Sequence, residues 1–174
     1  MDKELQAKAA DIRLLALDVD GVLTDGRIYY GNSGEELKAF NIKDGLGIKL
    51  LQGAGVTVAI ITGRSSDIVQ RRASELGISE IIQGREDKIT ALQQLAQRLG
   101  IDLRECAYMG DDLPDLAAMR AAGIGLTVAD AVATVAEHAD WQSRSAGGQG
   151  AVREACEYLL AARHALSNAE AGYL

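Results

Sequence analysis

The stretch LLALDVDGVLTDG, residues 14–26, sets an unbroken apolar run directly before two aspartates and a glycine. The apolar stretch from Ile12 to Leu17 predicts a strand buried on both faces, as in a parallel sheet covered by helices. Asp18 and Asp20 then stand at its carboxyl end, followed by Gly21 and a Thr/Asp loop. Residues two apart in an extended segment point to the same side, so these carboxylates converge only if something offsets their repulsion. A divalent cation is the expected partner. With hard oxygen ligands and no His or Cys nearby, Mg²⁺ is favoured over zinc, with Mn²⁺ and Co²⁺ as alternatives. Taken alone, the pair also suits an ordinary Asp turn after a strand.

Working outward, the same arrangement recurs. VTVAIITGR, residues 56–64, places Thr62 and Gly63 just past a β-branched run. ECAYMGDDLPDL, residues 105–116, ends a short apolar strand in Gly110 and delivers Asp111, Asp112 and Asp115, with Pro114 suited to the first turn of a helix. Lys88 lies near the start of an amphipathic helix whose apolar positions Ile89, Leu92, Leu95 and Leu99 recur at helical spacing. Each feature has an ordinary reading, as a turn, a solvated lysine or an acidic helix cap. Their order is the informative part, because each lies where a strand ends or a helix begins, and that edge is where open α/β sheets bind ligands.

Strands are predicted near 13–18, 56–61, 80–82, 106–109, 123–126 and 139–141, and helices near 45–52, 66–76, 88–99, 113–121, 131–136 and 151–165. This alternation predicts an α/β fold: a doubly wound, Rossmann-like, mostly parallel sheet with helices on both faces. Gly53, Gly77, Gly100 and Gly123 are expected to close helices in the left-handed conformation. Residues 26–40 break the alternation and predict a projecting β-hairpin, with strands at 27–30 and 37–40 around the turn GNSGEE. Ile28, Tyr30, Leu37 and Phe40 would leave an isolated hairpin with exposed apolar groups, so packing against other subunits is expected. The Gly-rich stretch at 146–150, before the last helix, is expected to be a mobile turn that could cover a site in the same or an adjacent subunit, or else a linker.

The chain has 174 residues, 48% of them hydrophobic, enough for one ample core and hence a single domain over 1–174. Only 4% are aromatic, so Ala, Leu, Ile and Val must fill the interior. A formal charge of −7 argues against nucleic acid or an anionic membrane as partner, so an anionic substrate must find local cations. Cys106 and Cys156 read as reduced packing residues of a cytoplasmic protein. The polar start MDKELQAKAADIR lacks the apolar core of a signal peptide.

The ordered set of Asp18, Asp20, Thr62, Lys88 and GDDLPD resembles the haloacid dehalogenase superfamily of phosphotransferases over nearly the whole chain. The resemblance implies Asp18 as nucleophile and Asp20 as general acid/base. It implies Thr62 as the hydroxyl that holds the phosphoryl group and Lys88 as the cation that orients it. Asp18, Asp20 and Asp111 are implied as metal site, with Asp112 and Asp115 in support. An Asp two places after the nucleophile looks like a phosphatase, because an alcohol leaving group needs a proton donor. The intervals from Asp18 to Thr62 and from Lys88 to Asp111 leave no room for a cap domain.

Among capless members, DVDGVLTDG, KAFNIKDGLGIKLL, ITGRSS, YMGDDLPDL and SAGGQGAVREACEYLL are most similar to the family of 3-deoxy-D-manno-octulosonate 8-phosphate (KDO 8-phosphate) phosphatases. That similarity implies a homotetramer acting in lipopolysaccharide precursor synthesis. It implies substrate contacts from Asp20, Asn41, Ile42, Lys43, Asp44, Gly45, Lys49, Gly63, Arg64, Arg72 and Lys88. Lys43 and Lys49 depart from the Arg that relatives often carry. Two alternatives stand beside it: a phosphatase of a sialic acid or KDN 9-phosphate type substrate, and a non-catalytic oligomerisation or sugar-binding module.

Overall fold

The computed structural model describes residues 3–174. In chain order the elements are α1 (Lys3–Ala10), β1 (Leu14–Leu17), β2 (Tyr29–Tyr30), β3 (Glu36–Leu37), α2 (Ile42–Gly53), β4 (Thr57–Ile61), α3 (Asp67–Glu75) and β5 (Glu80–Ile82). There follow α4 (Lys88–Leu99), β6 (Cys106–Gly110), α5 (Leu113–Ala121), β7 (Ile124–Thr127), α6 (Ala133–His138), β8 (Trp141–Gln142), α7 (Ala151–Ala162) and α8 (Leu166–Glu170).

Six strands form one sheet in the order β5-β4-β1-β6-β7-β8, and every pairing in it is parallel. The chain winds outward from β1 through β4 and β5, returns to the other side of β1 as β6, and winds outward again. The reversal opens a crevice at the carboxyl ends of β1 and β6. Between β1 and β4 the chain forms only a helical turn at Val19–Leu23, the hairpin and α2, so no cap domain covers that crevice.

Period-two alternation along the strands divides the interior into two layers. Leu15, Leu17, Val58, Ile60 and Met109 face one layer, packed with Ile48 and Leu51 of α2, Val69 of α3 and Leu159 of α7. Leu14, Ala16, Ala59, Ile61 and Tyr108 face the other, against Leu92 and Leu95 of α4 and Met119 of α5. All of β1 is inaccessible to solvent, as the apolar run before Asp18 requires. Each fully buried Leu or Ile contributes about 1.5–3 kcal/mol. The rigid layers on either side therefore hold the strand tips in place.

Helix ends refine the predicted boundaries. α2 begins before residue 45 because the Asn41 side chain accepts a hydrogen bond from the Lys43 N–H at 2.8 Å and caps the helix there. Gly77 and Gly100 take the left-handed conformation expected of them, with φ of +70° and +65°. Gly53 and Gly123 do not. Gly53 is the last residue of α2, and the left-handed turn falls at Gly55 with φ +84°. At Gly123 the demand is space, because a Cβ would stand 2.0 Å from the carbonyl oxygen of Arg104. The last predicted helix ends early, broken by His164 at φ +56° before α8 resumes.

The hairpin is present but shorter than expected: Tyr29 pairs with Leu37 and Tyr30 with Glu36. Phe40 leaves the second strand and packs against the core. Tyr30 and Leu37 stay 70% and 60% exposed. Among the described residues, no helix is long and apolar enough to cross a membrane.

Candidate active site

Asp18 is the first residue past β1 and Asp111 the first past β6, so parallel pairing of these strands sets the two side by side. The Asp18 N–H donates to the carbonyl of Met109 at 3.0 Å, extending the ladder to the sheet edge. Oxygens of Asp18, Asp111 and Asp115 lie within 4.8 Å of one another. The turn after Asp18 is shaped around this group. Gly21 has φ +93°, and a Cβ there would lie 2.0 Å from Asp111 Oδ2. Thr24 closes the turn, its N–H donating to Val19 O at 3.0 Å and its Oγ1 accepting from the Gly26 N–H at 3.1 Å.

Asp115 is a bracket. Its Oδ1 accepts from Lys88 Nζ at 2.6 Å and from the Tyr108 hydroxyl at 3.0 Å. Its Oδ2 accepts from the N–H groups of Asp111 at 3.0 Å and Asp112 at 3.2 Å. Asp112 in turn caps α5, with Pro114 in its first turn. The acidic helix cap and the functional cluster are thus one structure. Lys88, only 5% exposed at the start of α4, reaches from Asp115 across to Asp18 Oδ2 at 3.1 Å.

Charge is unbalanced here. Burial, then the neighbouring Asp115, raises the Asp18 carboxyl from 3.8 to about 6, although Lys88 pulls it down. Burial, followed by Asp115 and Asp18, pushes Asp111 up to about 7. At Lys88 burial disfavours the ammonium, but Asp18 and Asp115 outweigh it and its pKa is raised. Asp111 Oδ1 is buried with no hydrogen-bond partner. Two crowded carboxylates, one with an orphan oxygen and neither near a nitrogen or sulfur ligand, fit a hard divalent cation of the Mg²⁺ type.

The carboxylate of Asp20 does not join that group. It forms an ion pair with Lys38 and lies 3.9 Å from Arg64 Nε. Asp18, Asp20, Thr62, Arg64, Lys88 and Asp111 nonetheless line one cavity of about 720 Å³, together with Gly63 on the loop after β4. Thr62 is 2% exposed and is anchored by its N–H on Ile82 O at 2.9 Å.

The other expected substrate contacts fall elsewhere. Asn41, Ile42, Lys43, Asp44, Gly45, Lys49 and Arg72 do not line this cavity; Asn41 caps α2, the next five lie in α2, and Arg72 lies in α3. Ile42, Gly45, Lys49 and Arg72 line a separate depression of about 240 Å³. The Arg72 guanidinium there lies 5.8 Å from the Phe40 ring centroid. Asp44 is buried, and its Oδ1 accepts the Arg153 N–H at 2.8 Å at the start of α7, while its Oδ2 has no hydrogen-bond partner.

The Gly-rich stretch is seated rather than free. A Cβ on Gly147 would lie 1.8 Å from Gly21 O, and the Gly148 N–H donates to Val22 O at 3.0 Å. These glycines permit close approach to the turn after Asp18 in the same chain. Lys38 and Tyr108 escaped the sequence reading, since a lone hairpin lysine looks solvated and a tyrosine in an apolar strand looks like packing.

Residues 66–155 match the haloacid dehalogenase-like hydrolase family. The 3-deoxy-D-manno-octulosonate 8-phosphate phosphatase of Escherichia coli (strain B / BL21-DE3) is 48% identical over 167 residues, covering 96% of this chain and 89% of that protein. The crystal structure of the Moraxella catarrhalis phosphatase of the same name, in complex with magnesium, phosphate and KDO, is 49% identical, covers 100% of both chains and superposes with a TM-score of 0.98. The cobalt-bound form of the Haemophilus influenzae phosphatase is 41% identical, covering 92% of this chain and 94% of its own, with a TM-score of 0.89. The chain belongs to the haloacid dehalogenase-like hydrolases, in the capless family of the 3-deoxy-D-manno-octulosonate 8-phosphate phosphatases.

Proposed function

We propose that this chain, working as one domain over 1–174, is a Mg²⁺-dependent phosphatase that converts KDO 8-phosphate to KDO and inorganic phosphate in the cytoplasmic supply of a lipopolysaccharide sugar. The observation that carries the chemistry is the buried Asp18, held by Lys88 at 3.1 Å and crowded against Asp111 at the sheet edge. The choice of substrate follows the likeness to the E. coli and M. catarrhalis phosphatases.

Phosphate monoesters resist hydrolysis so strongly that acceleration can reach on the order of 10²¹-fold, and splitting the reaction lowers each barrier. Asp18 attacks phosphorus in line, the bond from phosphorus to the sugar oxygen breaks, and Asp20 delivers its proton to that oxygen. In the second half Asp20 takes a proton from water as the water attacks the aspartyl phosphate, which frees phosphate and restores Asp18. Lys88, the Thr62 hydroxyl and amides of the loops balance the charge on the equatorial oxygens. A divalent cation held by Asp18 and Asp111 would neutralise charge on the transferring group.

Gly63 and Arg64 lie at the cavity and suit the substrate's polar groups. Ile42, Gly45, Lys49 and Arg72 line a second depression, which a neighbouring subunit would bring to the cavity in a homotetramer joined through the exposed hairpin, together with Asn41, Lys43 and Asp44 at the start of the same helix. The test is phosphate release from a panel of phosphorylated sugar acids, with and without added Mg²⁺. KDO 8-phosphate should give the highest kcat/KM. Preference for a nine-carbon acid phosphate would move the substrate assignment, and no release from any ester with any divalent metal would remove the phosphatase reading.

A further inference from the structure

Asp20 needs an outside support, since general acid catalysis requires its carboxyl to meet the departing oxygen at hydrogen-bond distance. Among the described residues, that support comes from the hairpin. Lys38 follows β3 directly, and its side chain is 1% exposed although the neighbouring Leu37 is 60% exposed. The strand alternation of the hairpin turns Lys38 inward beneath it, and its ammonium pairs with Asp20 Oδ1. The same ammonium meets Glu36 Oε1 at 3.5 Å. Arg64 closes the ring, bonding Glu36 at 3.1 Å and standing 3.9 Å from Asp20 Oδ2.

A lysine is almost never buried unless paired, and burial removes the hydration and rotamer freedom of its long stem. Here the burial is tied to a particular carboxylate. Asp20 is otherwise on a short turn whose backbone hydrogen bonds are spent on closing it around Thr24. The hairpin therefore sets the direction of the Asp20 side chain through Lys38.

We propose that Lys38 is a positioning residue for the first half of the reaction: from the hairpin it holds the Asp20 carboxyl at the mouth of the Asp18 cavity, where the leaving oxygen takes its proton. The inference rests on the phosphatase reading above and adds a residue to it. Because Lys38 acts through Asp20, its loss is felt in proportion to the leaving group's need for a proton. A sugar alkoxide needs one. The p-nitrophenolate ion departs without one.

The experiment compares kcat/KM for KDO 8-phosphate and for p-nitrophenyl phosphate at saturating Mg²⁺, in wild type, Lys38→Met, Lys38→Arg, Asp20→Asn and the Lys38→Met/Asp20→Asn double variant. Lys38→Met should lower the ratio of the two kcat/KM values about 10- to 100-fold, a part of the 10²–10⁴-fold that general acid–base catalysis supplies. Lys38→Arg should recover some of that ratio. Adding Lys38→Met to Asp20→Asn should cost nothing more on the sugar phosphate. Equal losses on both substrates, no loss at all, or additive losses in the double variant would overturn the proposal. If Lys38→Met does not fold by circular dichroism, Lys38→Gln, which also removes the cation, carries the same comparison: a ratio shifted toward that of Asp20→Asn supports the role, and an unchanged ratio overturns it. A wild type inactive on every phosphate ester would instead remove the phosphatase reading.

Discussion

Asp18→Asn should abolish Mg²⁺-dependent turnover and also make the metal-free protein more stable. The Asp18 carboxyl is raised from 3.8 to about 6, first by burial and then by Asp115, with Lys88 only partly offsetting them. That shift is roughly two pH units at about 1.4 kcal/mol each. Keeping Asp18 ionised therefore costs the native state about 3 kcal/mol relative to a neutral group of the same shape. Asparagine is such a group, and a side chain only 9% exposed gains little from solvent screening. The sign follows from a raised native-state value. The stability is fully present below the unfolded pKa of 3.8 and is lost as pH rises through about 6.

Wild type and variant should therefore converge near about pH 4 and separate by about 3 kcal/mol near about pH 8, both in chelator. For a chain of this size the gap corresponds to roughly 6–12 °C in Tm. Relief of Asp111, whose raised carboxyl owes part of its shift to Asp18, should add to it. Calorimetric or denaturant unfolding at one protein concentration measures the gap, and a phosphate-release assay measures the loss of turnover. Saturating Mg²⁺ should narrow the difference, because the wild type gains more from the ion. An Asn variant less stable than wild type at the higher pH, a gap indifferent to pH, or retention of most phosphatase activity would refute the reasoning.

Lys88→Met should be costly in the other direction: Asp18 and Asp115 lose their shared cation, and breaking a buried pair costs about 3–5 kcal/mol. A melt equal to wild type would contradict the bracket described for Asp115. Gly147→Ala should reduce kcat by about 10²-fold, since small misplacements of reacting groups can have that effect. Its Cβ would press within 1.8 Å of Gly21 O although Gly147 does not line the cavity, so an unchanged kcat would show that the strap does not set the turn. Mg²⁺ must bind ionised carboxylates, and Asp18 and Asp111 are raised to about 6 and about 7. Apparent Mg²⁺ affinity should therefore fall as pH drops below about 7, and metal titrations at several pH values would expose a flat, contrary profile.

Much of the arrangement was readable along the chain because it depends on local rules. Apolar runs before Asp18, Thr62 and Asp111 mark buried strands, and strand tips must present whatever residue comes next. Lys88 and Asp112 sit at helix starts that capping and periodicity reveal. The ordinary reading of GDDLPD as a helix cap was also correct, since Asp112 and Asp115 form a capping box while Asp115 holds Lys88. Boundaries were less legible. The helix expected near 45–52 begins earlier, because the Asn41 cap starts α2 at Ile42 and close packing of Gly47 on α7 accommodates that glycine inside the helix.

By itself the sequence determined a doubly wound sheet and the order in which acidic, hydroxyl and cationic groups arrive at its carboxyl edge. Hydrophobic period and capping chemistry act over a few residues and need no distant partner to be seen. Tertiary structure alone decided which carboxylates share a charge deficit, that Asp20 turns to Lys38, that Asp44 accepts from the start of α7, and that the depression lined by Ile42, Gly45, Lys49 and Arg72 is separate from the cavity. Those outcomes depend on pairings between segments far apart in the chain and on the space left between packed elements. Gly21 against Asp111, and Gly147 against Gly21, are visible only once the strands have set their loops in contact.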